Sequence, residues 1–321
     1  MRTIKTILKE DKFYIIALAI LILIFNIRLP FYVNAPGGTI NINNRIEYQD
    51  KKEYKGSLNM LYVTEYVASI PFYLLSHIIP DWDLESIKEN QVSSTESVEE
   101  INKRNKILLE NSINNATYVA YKSANKKIEI TKTKYVVVAV TKENGLKIGD
   151  EILEVEGKKV SSLEMIKQTI EEKNVGDAIN LKIKRNSKEQ EENKKALGVM
   201  IVTNYNLKPE KEVKLKFKQS ESGSSGGLMM SLSIYSAISG KDILKGRNIA
   251  GTGTIDMNGN VGEIGGIKYK IMGAVKNKMD VVLVPSANYK EAIKVKEAKN
   301  YKIKIVKVDT FMDAIDYLTT N

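Results

Sequence analysis

The sequence predicts an α+β fold divided into an N-terminal transmembrane helix, a small β-rich domain and a larger C-terminal α+β domain. Three observations predict it. Phe13 to Phe25 is an unbroken apolar run, residues 135–184 read as strand, turn, strand, helix and strand, and residues 249–310 place hairpin signals between short apolar strands and amphipathic helices. With 321 residues and 43% apolar content, the chain is long enough for two or three compact units.

Residues 13–33 carry one charge, Arg28, and one proline, Pro30, and have the length of a bilayer-spanning helix. Arg2, Lys5, Lys9 and Lys12 precede them, so the positive-inside bias places residues 1–12 in the cytosol and the rest of a single-pass chain outside the cell membrane. A cleaved signal peptide competes with a retained anchor. Val33-Asn34-Ala35 has the small residues of a cleavage site, but Pro36 directly after it disfavours cutting, so the expected partner of this helix is membrane lipid. Residues 34–124 are then membrane-proximal, with a strand over Leu58 to Thr64 and, over Ile70 to Ile79, an apolar helix or a surface that docks on lipid. A connector or packing helix starts at the capping box Ser97-Val98-Glu99-Glu100.

In residues 125–190, Tyr135 to Val140 is β-branched and Gly145 marks a turn. Leu146-Lys147-Ile148-Gly149-Asp150-Glu151-Ile152 then leads into Val155-Glu156-Gly157, a helix over Ser162 to Lys173, Val175-Gly176-Asp177 and a strand over Ile179 to Lys184. At these residues the sequence resembles a PDZ domain of the bacterial type. The resemblance implies a half-open sheet able to take a peptide strand at its edge. Asn186 to Lys195 reads as a solvated hairpin loop or linker.

Composition removes most catalytic chemistries. There is no cysteine, which excludes a thiol nucleophile, a cysteine-based zinc site and any disulfide. The single histidine, His77, lies in an apolar segment where a packed or interfacial role is expected, so a serine enzyme here would take its base from lysine. The formal charge is +10, but the lysines are dispersed and not interleaved with aromatics, so no nucleic-acid partner is expected.

Gly223-Ser224-Ser225-Gly226-Gly227 opens onto an apolar helix over Leu228 to Ile238. A serine between small residues ahead of a helix has an uncovered hydroxyl and unpaired N–H groups close by, the requirements of a nucleophile and its oxyanion hole. Its lysine base must be held neutral by burial. Lys268 and Lys270, which follow Gly265-Gly266 on a helix whose inner face is Ile267, Ile271, Ala274 and Val275, both flank that face, and periodicity does not choose between them.

Together with Gly251-Thr252-Gly253-Thr254-Ile255, these motifs resemble, in order, the proteolytic domain of the Lon family over residues 197–321. That resemblance implies Ser225 as nucleophile, Lys270 as general base and Thr252 as the residue orienting the lysine, with Gly223, Ser224 and Gly226 shaping the turn. It implies neither cofactor nor metal. Ser224 stands where the family has proline, and Gly226 where it has alanine. The whole chain resembles the membrane-anchored Lon-like serine proteases of Gram-positive bacteria, implying a peptide or protein substrate that is secreted or membrane-associated, and it leaves room for an oligomer. Gly240-Lys241-Asp242 is no P-loop, so cleavage is expected without ATP. The competing reading is a catalytically inactive, membrane-tethered PDZ adaptor. Ser123-Ala124-Asn125-Lys126 has the first spacing of a penicillin-type acyl enzyme, but no Lys-Thr-Gly follows it.

Overall fold

The structure, a computed structural model, describes residues 12–141, 145–174, 177–194 and 197–320. Arg2, Lys5 and Lys9 of the basic N-terminus, Val175-Gly176 of the β-rich unit and Lys195 of the polar run lie outside the described residues.

The first stretch holds α1 (Lys12–Asn26), β1 (Arg28–Asn41), β2 (Ile46–Glu47), β3 (Ser57–Ser69), α2 (Ile70–Ser76), β4 (Asp83–Ser86), α3 (Ile87–Asn90) and α4 (Val98–Ser123). The transmembrane expectation is overturned here. Among the described residues no helix is long and apolar enough to cross a membrane. Helix α1 has 15 residues, a length of about 22 Å against a hydrocarbon core of about 30 Å. The last six residues of the expected span, Arg28 to Val33, are strand: Arg28 pairs with Ser69, Tyr32 with Val67 and Val33 with Tyr66. Pro30 cannot continue a helix, and Val33, fully buried, is committed to the sheet. The single-pass cell-membrane localisation, with its cytosolic N-terminus and extracytoplasmic domain, is therefore not supported.

The second stretch is β5 (Ile128–Val140), β6 (Glu151–Val155), β7 (Lys158–Lys159), α5 (Leu163–Glu171), β8 (Ile179–Arg185), β9 (Lys188–Lys194) and β10 (Val199–Pro209). These strands form one sheet in the order β10-β5-β6-β8-β9, with β7 paired to β6. Its core includes Tyr135, Val137, Ile152, Val155, Ile166, Leu181 and Ile183. The polar run after Asn186 is a strand, not a loop. Asn186 and Ser187 both take positive φ, 48° and 66°, the geometry of a two-residue hairpin whose twist matches its strands, and this lays β9 along β8.

The last stretch is β11 (Lys214–Leu215), α6 (Gly227–Ser239), β12 (Asn248–Gly251), β13 (Thr254–Ile255), β14 (Val261–Gly262), α7 (Ile267–Lys276), β15 (Val281–Pro285), α8 (Ser286–Ala298), β16 (Lys304–Val308) and α9 (Phe311–Thr320). Its strands join those of the first stretch in one sheet ordered β16-β15-β12-β3-β1-β4. Pairing is parallel from β16 to β3 and antiparallel from β3 to β4. The sheet is thus mixed and carries helices on both faces. Leu58, Met60, Ile249, Val281 and Leu283 meet a core shared with α4, α6 and α9, while their alternates Leu61, Ala250, Val282 and Val284 meet Ile267, Ile271, Ala274 and Ala292 of α7 and α8. Helix α6 lies deepest: from Gly227 to Ile238 every residue is buried, as expected of a helix apolar all round.

Candidate active site

Ser225 sits in the turn that launches α6. The turn is held from two sides. The Gly253 N–H donates to Ser225 O at 2.8 Å, and the Leu228 N–H donates to Gly253 O at 3.1 Å. From α4, Ser112 Oγ donates to Ser224 O at 3.0 Å, while Asn105 O accepts the Gly223 N–H at 3.0 Å. Helix α4, expected as a connector or packing helix, packs in the core and clamps the serine turn, and its predicted capping box is formed by Ser97 and Glu100. Among the described residues the N–H groups of Ser225 and Gly226 make no backbone hydrogen bond, which leaves them free to meet an anion at the start of α6.

Two glycines set how closely the turn packs. A Cβ on Gly227 would lie 2.8 Å from the Ile255 backbone nitrogen, which cannot yield. A Cβ on Gly226 would overlap Met60 Sδ at 1.9 Å, so the methyl that the family carries at this position has its space filled by Met60.

The structure separates the two lysines. Helix α7 starts at Gly266, in the left-handed region at φ 68°. Lys268, half-buried at the edge, donates to Asp83 at 2.6 Å. Lys270 is 3% exposed, because it follows Ile267 by three residues and precedes Ala274 by four, on the stripe that faces the sheet. Its Nζ donates to Thr252 Oγ1 at 3.1 Å, and Thr252 Oγ1 donates to Ser225 O at 3.0 Å. Thr252 is fully buried just beyond the C-terminal end of β12, its N–H bonded to Leu283 O at 3.1 Å. Burial lowers the Lys270 pKa from its usual value to about 8. Among the described residues Ser225 and Lys270 share no direct hydrogen bond, and Thr252 links them.

A profile of the Lon protease (S16) C-terminal proteolytic domain matches residues 117–320. The chain belongs to that family. Lon protease from Mesomycoplasma hyopneumoniae (strain 232) is 36% identical over 96 residues, covering 30% of this chain and 11% of that protein. Lon protease from Neorickettsia sennetsu is 32% identical over 98 residues, covering 30% of this chain and 12% of that protein. The chain thus aligns with 11% and 12% of the length of these two relatives. A solved structure, the second domain of the Listeria protein Lin2157, is similar at 24% identity over 24% of this chain and 88% of that one, with a TM-score of 0.19, too low to carry an argument.

Two cavities meet at the Lon motifs. One, of about 680 Å³, and another, of about 830 Å³, are both lined by Val63, Glu65, Asn105, Gly223, Ser225 and Lys270. Ser224 lines the first and Gly226 the second. The first continues over Asn34, Asp83, Glu85 and Glu89, and the second over Ile40, Met60, Leu109 and Phe217. Asn34, Glu65 and Glu85 were not singled out from the sequence. They lie on β1, β3 and β4, and only cross-strand pairing, Asn34 opposite Glu65, brings them to the serine. His77 is elsewhere, exposed at the end of α2 with Nδ1 2.8 Å from Tyr73 O.

Proposed function

We propose that the chain is a serine endopeptidase of the Lon type, with Ser225 as nucleophile and Lys270 as general base. The observation that carries this reading is a buried lysine without an ion-pair partner among the described residues, whose pKa is pushed down to about 8. At pH 7 such a group is neutral in about a tenth of molecules. Neutral Lys270 accepts the Ser225 Oγ proton as the oxygen attacks the substrate carbonyl carbon, and the carbonyl electrons move onto oxygen. The N–H groups of Ser225 and Gly226 are placed to hold that oxyanion. On collapse the C–N bond breaks, and the leaving amine takes the proton from the Lys270 ammonium. Lys270 then deprotonates a water that hydrolyses the ester and restores Ser225. Thr252 accepts the Nζ hydrogen bond and keeps the amine in register.

Two further parts belong to the proposal. The sheet unit over residues 128–209 resembles a PDZ domain in the order of its elements from β5 to β8, and in this reading it docks protein substrates without taking part in the chemistry. The steps above draw on no nucleotide, so turnover proceeds without ATP. The test combines a fluorophosphonate probe with a set of internally quenched peptides, assayed without ATP. The wild-type chain is expected to be labelled and to cleave peptides, and Ser225→Ala to do neither. A wild-type chain that is unlabelled and cleaves nothing would return it to a catalytically silent peptide-binding protein.

A further inference from the structure

The two cavities that meet at Ser225 differ in chemistry. The smaller one is lined by Glu65, Asp83, Glu85, Glu89 and Glu263, with Lys270 as its one basic residue among the described lining residues. This is unexpected in a chain of formal charge +10. Asp83 is already satisfied by Lys268 at 2.6 Å and by the Tyr269 hydroxyl at 2.5 Å. Glu65 and Glu85 have no ion pair among the described residues; Glu85 accepts from Asn34 Nδ2 and from Asn90 Nδ2, the latter at 2.9 Å. A separate observation concerns Asn34 itself. It is 7% exposed and lines this cavity, yet among the described residues its Oδ1 has no hydrogen-bond partner. The cavity therefore gathers five carboxylates and an unpartnered buried amide oxygen around a single cationic side chain, Lys270.

We propose that Asn34, Glu65 and Glu85 form a subsite that receives the side chain of a lysine or arginine of the substrate near the bond attacked by Ser225. This rests on the peptidase reading of Ser225 and Lys270 and adds the class of peptide it takes. An ammonium brings three donors and a guanidinium five, which suits three acceptors on one face of neighbouring strands. Among the described residues no group of carboxylates is arranged to hold a metal ion, and this favours an organic cation. Desolvation and the neighbouring Glu85 charge raise the Glu65 pKa, and a cation seated between them would relieve that crowding. The second cavity carries two further basic residues, Arg45 and Lys218, beside Ile40, Met60, Leu109 and Phe217, and these disfavour a cation on the other side of Ser225, so a bound chain would place the cationic residue on one side only.

The test uses the full chain and pairs of internally quenched peptides that differ only by arginine or its neutral isostere citrulline, placed in turn at each position within four residues of the cleaved bond. At one position, on one side of the bond, arginine is expected to raise kcat/KM at least about tenfold over citrulline, the scale of a charge-assisted hydrogen bond. In the Glu65→Gln, Glu85→Gln double variant that ratio falls toward one, while the remote Glu212→Gln variant keeps it. The Ser225→Ala variant, titrated with the same two peptides by fluorescence anisotropy, should bind the arginine form more tightly, and this readout does not depend on turnover. Ser225-dependent cleavage with equal rates for arginine and citrulline at every position overturns the subsite and leaves the peptidase reading standing. Absence of any cleavage with equal binding of the two peptides overturns both. A double variant that keeps the wild-type ratio overturns the assignment to Glu65 and Glu85.

Discussion

Asp150 in the β-rich unit is 1% exposed and Lys270 in the serine-bearing unit is 3% exposed, yet only Asp150 has a counter-ion. Asp150 accepts from Arg185 Nε at 2.7 Å and from the Lys147 N–H at 2.8 Å, and in this way ties the turn after Gly145 to strand β8. Lys270 has a threonine hydroxyl and no carboxylate at hydrogen-bond distance among the described residues. A buried charge with a full set of partners holds a fold together, whereas one with burial alone around it has its proton loosened. On the proposed reading the contrast marks the serine-bearing unit as the one that does chemistry, and four experiments can break or sharpen it.

The largest effect is expected on turnover. Ser225→Ala and Lys270→Ala should each lower kcat/KM by about a thousandfold or more, because a nucleophile and its base act as one unit, while Lys268→Ala, which removes only the ion pair with Asp83, should stay within about tenfold of the parent. The pH profile of kcat/KM should rise through about 8 and level above it, since Lys270 must be deprotonated to act. An active Lys270→Ala chain would break the assignment.

Next in size is the structural pair. Asp150→Ala leaves Arg185 with only one carboxylate among the described residues, Glu192 at 4.0 Å, and should lower the unfolding free energy by about 3 kcal/mol, read from urea denaturation. Hydrolysis of a short peptide by the fraction still folded should persist, because Asp150 does not line the cavities at Ser225.

Lys270→Met should move stability the other way. Below pH 8 the folded and unfolded states both carry the lysine proton, but the folded state holds the ammonium desolvated, a cost of about 3 kcal/mol at most for a shift from 10.5 to about 8. The variant should therefore be the more stable protein at pH 7. Its advantage should shrink as pH rises from about 8 to 10.5, where the unfolded lysine also loses its proton. A variant less stable than the parent at pH 7 would mean that Lys270 is not held in a disfavoured charge state.

The smallest effect distinguishes the two glycines. Gly227→Ala drives a methyl against the Ile255 backbone and should cost about 1–3 kcal/mol together with most of the turnover. Gly226→Ala meets the movable end of Met60 and should cost less than about 1.5 kcal/mol in thermal unfolding.

By itself the sequence determined what is local. The Gly-Ser turn opens a helix, the 97–100 capping box starts α4, the hairpin at Asn258-Gly259 forms between β13 and β14, and β15, α8, β16 and α9 follow near their expected places. Each depends on residues a few positions apart, so propensity and spacing suffice. Only the tertiary structure decided that Arg28 to Val33 is strand, since an apolar run reads alike for a membrane and for a buried sheet until Ser69 to Tyr66 pairs with it. Between the two lysines periodicity did not choose and the Lon motif register pointed to Lys270; packing of α7 on the sheet buries Lys270 and leaves Lys268 at the edge, paired with Asp83. Asn34, Glu65 and Glu85 had no such signal. They meet at Ser225 because β1, β3 and β4 join the sheet that carries Thr252, and pairing between segments so far apart in the chain is set by the fold as a whole.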